Sequence, residues 1–163
     1  MAAQYQYSLI NRDIEDEFSD LCPSEGIGIT AWGPLGGGFL SGKYQRNRRP
    51  QAATEGRIAT TGSDTEEAWE RRNTERNWAV LETVQAIAQA HGATVAQVAL
   101  AWLRSQPIVS SVILGIRTLS QLEENLPAAA LELTSEERSR LDRVSAPPER
   151  YPYRLFEQWR RPV

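Results

Sequence analysis

The sequence predicts an α/β fold with parallel strands, and it predicts only part of such a fold. Strand-like and helix-like segments alternate along the 163 residues, the pattern of parallel strands joined by right-handed crossovers. The strand-like segments "QYQYSLI", "IGITAW" and "IVSSVILGI" are rich in β-branched and aromatic residues, as strands usually are. Three strands are few, however. A parallel sheet needs both faces covered, and a closed barrel of this type takes eight strands and about 250 residues. The chain is therefore expected to be a single domain, 1–163, that forms part of something larger.

In order, "AQYQYSLI" is a strand over Ala3 to Ile10. Ile14, Phe18, Leu21 and Cys22 then fall on one helix face. Acidic residues crowd the first turns of that helix, where its dipole favours them, and Gly26 is its stop. Ile27 to Trp32 is a second strand, apolar enough to be expected buried on both faces. From Gly33 to about Asp64 Gly, Pro and Arg abound without a period, so a loop is expected. A helix runs from there to His91, with Trp78, Leu81, Val84 and Ala88 on one side and Gly92 as its end. Thr94 and Gln97 form a capping box for the next helix, whose apolar face is Val95, Val98, Ala99, Trp102 and Leu103. After the third strand come "TLSQLEENL" and "TSEERSRLDRV", two helices that each open on threonine. An aromatic and basic tail covers about 147–163.

Composition excludes several classes. A formal net charge of -3 gives no general reason to bind nucleic acid or an anionic membrane. One cysteine, Cys22, rules out an internal disulfide and fits a reducing compartment. No apolar run reaches the roughly 18 residues of a membrane span, and "MAAQYQYSLI" is unlike a signal peptide. A cytoplasmic location is expected. No metal or nucleophile–base constellation can be assembled from one Cys and one His. His91, beside Gly92 at a helix end, reads as structural.

The stretch "GIGITAWGPLGGGFLSGKY" holds most of the chemistry. It runs from strand into a glycine run and ends beside Lys43, the one lysine of the chain. Gly37, Gly42 and Lys43 match the spacing of a P-loop, but Tyr44 stands where that motif needs Ser or Thr for magnesium, and "YQRNRRPQ" is a poor helix. The other reading is a loop beyond the carboxyl end of a strand, where ligands bind in parallel α/β folds. There glycines let backbone approach a phosphate, amides donate to it, and lysine adds a point charge. The plainer reading makes Lys43 a surface residue and the glycines turns.

"AWGPLGGGFLSGKY" together with "VILGIRTLSQLEENL" resembles the cofactor-binding half of an aldo-keto reductase, and the similarity runs along nearly the whole chain. The resemblance implies part of a (β/α)8 barrel, with the three strands as its sixth, seventh and eighth. It implies an oxidoreductase that uses NADP(H) to reduce aldehydes and ketones. Gln4 would bond the nicotinamide carboxamide, and Trp32 would stack on that ring. Gly33, Pro34, Leu35, Gly36 and Gly37 would follow the pyrophosphate with Lys43 nearby, and a cofactor loop would cover about 33–64. Arg57 is a weaker match to a cofactor arginine. Gly115, Arg117 and Gln121 would surround the adenosine 2′-phosphate, and Glu124 and Asn125 the adenine. Gln121 could equally be the partner of Thr118 in a capping box. Gly33 departs from the family's usual Ser or Thr before Pro-Leu, which loses a hydroxyl.

The same resemblance implies what is missing. The family's Tyr, Lys, Asp and His come from the first half of the barrel, and nothing here matches the "D-x-A-x-x-Y-G" stretch that carries two of them. Tyr5 and Tyr7 alternate along a strand without a lysine near in sequence, so neither reads as the acid. No catalytic residue is expected in this chain. The expectation is a fragment or truncated product, inactive alone, that needs the N-terminal half of the barrel or self-association for stability. The substrate of the complete barrel would be a small carbonyl compound. The alternative is a non-catalytic nucleotide-sensing or interaction module that keeps the NADP site.

Overall fold

A computed structural model describes residues 1–51, 56–63, 65, 67–153 and 155. Its centre is a parallel sheet of three strands in chain order. These are β1 (Ala2–Gln6), β2 (Gly28–Trp32) and β3 (Val109–Val112). The helices are α1 (Glu15–Glu25), α2 (Trp69–Arg72), α3 (Glu75–His91), α4 (Val95–Arg104), α5 (Leu119–Asn125) and α6 (Ser135–Val144). Parallel strands with flanking helices are what the alternation predicts, and they fit the partial (β/α)8 barrel that the resemblance implies. Most of the aromatic tail lies outside the described residues. Among the described residues, no helix is long and apolar enough to cross a membrane.

Local sequence sets most helix ends. Thr94 and Gln97 form the expected capping box, and Thr134 with Glu137 forms another. Thr74 and Thr118 cap α3 and α5 through their side chains. Gly92 ends α3 in the left-handed conformation. The long helix expected up to His91 is two helices, because the Thr74 cap starts α3 afresh after α2. β1 is also shorter than Ala3 to Ile10. Past Gln6 the chain curls, and Ser8 and Asn11 exchange backbone hydrogen bonds of 3.0 Å.

The core lies on one side of the sheet. Ile29 and Ala31 of β2 are fully buried, with Leu40, Val80, Val98, Trp102, Leu103 and Leu141. The expectation that β2 is buried on both faces is wrong. Gly28 and Thr30 are half-buried and Trp32 is exposed, because successive strand residues point to opposite faces and only one face is packed by helices. Register sets Gln4 beside Thr30 and Gln6 beside Trp32, and Thr30 beside Ser111. The open face is thus polar across its middle, not the apolar patch that a cut barrel suggests. A register irregularity between Ile29 and Thr30 lets two consecutive residues of β3, Ser110 and Ser111, stand exposed. The Ser110 hydroxyl sits where a Cβ on Gly28 would be, at 1.9 Å.

Two measurements test these caps. Thr94→Ala should lower the unfolding free energy by about 1 kcal/mol, seen as a lower urea midpoint at unchanged slope. An unmoved midpoint would mean that the box adds nothing. Burial opposes ionisation of Glu137, but the Thr134 amide, the His91 ring and the Thr134 hydroxyl overcome it and hold its carboxyl below the usual range. Such a group stabilises above the ordinary glutamate value, and the contribution is lost as pH falls through its lowered one. Glu137→Gln should therefore flatten the acid limb of the stability profile and leave its shape above neutrality intact.

Candidate functional site

The carboxyl ends of β1 and β2 open onto the glycine run. Trp32 ends β2 on the open face, 37% exposed. Gly33 follows with φ of 64°. Pro34 and Gly36 are buried, while Leu35 and Gly37 are half-buried. The expected loop contains a 3-10 segment, Gly36–Ser41, broken by left-handed Gly37 and Gly38. The Gly36 amide donates to Gly33 O and the Gly38 amide to Leu35 O, both at 3.0 Å. These bonds fix the loop's curl internally. They also take the Gly36 amide out of the set expected to meet a phosphate.

Lys43 lies across this loop. Its Nζ is 2.9 Å from where a Cβ on Gly38 would be and 2.5 Å from one on Gly56. Any side chain at Gly56 would displace the ammonium. Nζ also sits over the Tyr44 ring at 5.2 Å. Buried Tyr44 accepts from the Ile58 amide and donates to Gly37 O, both at 3.3 Å. It thereby staples the 3-10 turn Arg57–Thr60 to the glycine run. Sequence reading used Tyr44 only to dismiss a P-loop. Its place beside the lone lysine was the available signal.

The second strand-end loop acts on the first through its charge. Burial, and then the charge of Arg117, lower the Lys43 ammonium below the ordinary lysine value. The same arginine charge acts on Tyr44, whose hydroxyl burial pushes upward. Two cations far apart in sequence therefore share one field, and such a pair attracts an anion. Gln121 Oε1 accepts from the Arg117 amide at 2.9 Å, while the Gln121 amide donates to Thr118 Oγ1 at 3.2 Å. The capping alternative is thus partly true, with the Arg117 amide in place of the cap's own. Gln121 steadies the arginine loop, and its Nε2 end is the donor that can meet a ligand.

Not every expected residue joins this cluster. Arg57 pairs through Nε with nearly buried Glu67 at 2.5 Å, and its side chain is 64% exposed. Gly115 and Glu124 are exposed. The Glu124 carbonyl accepts from Gln97 Nε2, which ties α5 to α4. Asn125 lines an apolar cavity of about 330 Å³ along the outer edge of β3, with Leu100, Val109, Leu122 and Leu126. That cavity shares no lining residue with the Lys43 cluster. Gln4 stands on the open face, exposed, one register step before Trp32. Tyr7 faces the helices instead, donating to Glu15 Oε1 at 2.6 Å. Burial and the Glu15 charge push its pKa far above the ordinary tyrosine value.

Comparison with known proteins identifies the family and the fold. The family profile described as "Aldo/keto reductase family" matches residues 1–146. "Probable aldo-keto reductase 1" of Glycine max is 32% identical over 136 residues, 83% of this chain and 37% of its own length. "Probable voltage-gated potassium channel subunit beta" of Arabidopsis thaliana is 36% identical over 133 residues, 77% of this chain and 37% of its own. A crystal structure of the thermostable aldo-keto reductase Tm1743, in complex with the inhibitor epalrestat, superposes with a TM-score of 0.57. That match is at 26% identity and covers 88% of this chain and 39% of the other. The chain thus spans less than two-fifths of the length of these relatives.

The left-handed Gly33 gives a paired test. A Cβ there would lie 3.4 Å from Gln6 Nε2, a buried donor without a partner among the described residues. Both Gly33→Ala and Gly33→Ser should destabilise, since φ is positive. Serine should be the milder by about 1 kcal/mol, because its hydroxyl can accept from Gln6. Equal losses in a denaturant titration would contradict this geometry.

Proposed function

The chain belongs to the aldo/keto reductase family, and from that membership we propose that it is the NADP(H)-binding part of an oxidoreductase barrel. The observation that carries this reading is the match of residues 1–146 to the family, and the Arg117 charge acting on Lys43 beyond the strand ends supports it. A guanidinium and the Gln121 amide suit a 2′-phosphate, whereas NAD sites in dinucleotide folds favour an acidic partner to the ribose. Lys43, with Gly33, Pro34, Leu35 and Gly37 around it, would hold the pyrophosphate. Gly115 would join Arg117 and Gln121 around the 2′-phosphate, Glu124 and Asn125 would hold the adenine end, and Arg57 would stand at the rim, its charge already met by Glu67. Trp32 offers an exposed ring at the end of β2, and Gln4 would bond the carboxamide of the ring that stacks there.

When bound, the nicotinamide supplies a hydride to a carbonyl carbon, or takes one from an alcohol. This chain's part is to bind and orient it. Its tyrosine at the end of β1 is not the acid, since the Tyr7 hydroxyl is tied to Glu15 and hard to ionise. The proton donor and the carbonyl substrate's pocket belong, in this reading, to the N-terminal half of the barrel. That half, or self-association, would also cover the two open sheet edges, which β1 and β3 present to solvent among the described residues. The one cysteine is buried, in keeping with a cytoplasmic setting. A second reading, a non-catalytic nucleotide-sensing or interaction module, draws support from the potassium channel subunit at 36% identity.

NADP⁺ and NAD⁺ titrations by tryptophan quenching test the first reading. NADP⁺ should bind more tightly. Arg117→Ala should remove most of that preference, at about 1.5–3 kcal/mol for a charged hydrogen bond. Amine labelling of Lys43, read by mass spectrometry, should be blocked by NADP⁺. Equal affinities for the two nucleotides, or labelling that neither nucleotide slows, would overturn the assignment.

A further inference from the structure

Three polar side chains outside the Lys43 cluster form a chain of hydrogen bonds with a fixed direction. Arg72, 3% exposed at the end of α2, donates through Nη1 to Asn11 Oδ1 at 2.7 Å. Asn11 Nδ2 donates to Gln6 Oε1 at 3.3 Å. Arginine can only donate. The Asn11 atom that faces it must therefore be the oxygen, and the other end of that amide must donate. Gln6 must then present its own oxygen to Asn11, which turns its Nε2 group toward Gly33 and the Trp32 end of the open face. Nε2 is buried and has no hydrogen-bond partner among the described residues. A buried donor left unsatisfied is unfavourable, and it is retained where something else supplies the acceptor.

We propose that Gln6 is a ligand-positioning residue, held as a donor by Arg72 through Asn11, and that it selects a carbonyl oxygen on the planar ring that packs on Trp32. This rests on the nucleotide reading above. It assigns the ring end of the site a second glutamine beside Gln4, two residues further along β1. Gln6 is half-buried, so its side chain borders the open face. The relay explains why an amide rather than a hydroxyl serves here. An amide has a donor end and an acceptor end, so its direction can be set from behind by the residue it leans on. Asn11 leans in turn on a side chain that does not lose its proton at physiological pH. The donor presented to the ligand is therefore indifferent to pH.

The polarity of the relay can be reversed without touching Gln6. In Asn11→Asp both oxygens accept. One still meets Arg72, as an ion pair, and the other requires Gln6 to turn its Nε2 inward and its oxygen outward. Binding of NADP⁺ and of 2′,5′-ADP, which lacks the nicotinamide, should be titrated against wild type, Asn11→Asp, Gln6→Met and the double variant. Each single variant should weaken NADP⁺ by about three- to tenfold, the range of one hydrogen bond, and leave 2′,5′-ADP unchanged. Asn11→Asp should add nothing in the Gln6→Met background. In the free protein, the Gln6 side-chain amide protons should become protected from exchange in Asn11→Asp, which reports the reversal without any ligand. Equal weakening of both probes, or an Asn11→Asp effect that persists without Gln6, would overturn the assignment. If wild type binds neither probe, the nucleotide reading itself fails and takes this one with it. If wild type binds 2′,5′-ADP and none of the variants changes NADP⁺, only the role of Gln6 fails.

Discussion

Arg12 is the interaction on which the rest of the fold depends. Its guanidinium, 10% exposed, meets Glu15 through two bonds of 2.6 and 2.8 Å. It also donates to Asp142 O at 2.9 Å and Ser145 Oγ at 2.7 Å, and lies over the Trp102 ring at 5.3 Å. Trp102 Nε1 donates to Asp142 Oδ1 at 2.8 Å. One charge thus joins the turn after β1, the start of α1, α4 and α6. Removing a partner from such a buried pair leaves an uncompensated charge, which is strongly destabilising. The site inherits this constraint. Asn11, which orients Gln6, is the residue immediately before Arg12, so the clamp that closes the core also fixes where the open face begins its polar relay.

The two faces of the sheet obey different rules. Ile29 and Ala31 are sealed beneath helices, where dispersion and the loss of water-exposed apolar area hold the structure. The opposite face carries Gln4, Thr30 and Ser111 in register. Polar groups there keep the surface wettable. The Lys43 loop stands at the border of the two. Tyr44 is buried, and the ammonium beside it belongs to an exposed residue.

Much of the fold was legible because its signals are local. The caps at Thr94 and Thr134 span three residues, and Gly92 announces its own turn. The family likeness supplied the strand order and the glycine–lysine stretch. Exposure was less legible. β2 reads as apolar, but the missing cover on one face depends on what lies beside the strand, not on the strand. The break before Thr74 was hidden because the helical pattern continues through it. In the candidate site, Trp32, Lys43 and Arg117 were legible as types, but their mutual field was not, since it joins loops far apart in sequence. Glu67 against Arg57 and Arg72 behind Asn11 escaped as well. Each is a pairing between common surface residue types across irregular chain, with no spacing to betray it.

The lone lysine has a consequence for the molecule's charge. Apart from His91 and the amino terminus, every other basic group is an arginine, whose charge persists far into alkali. Tyr7 and Tyr44 are both pushed upward by burial, so these phenols keep their protons late. Lys43 is pushed downward. As the solution turns alkaline, the basic side chains stay constant almost everywhere and change first at the mouth of the glycine loop. Among them, alkali has one dimmer switch, and it is wired to the loop where an anion would sit.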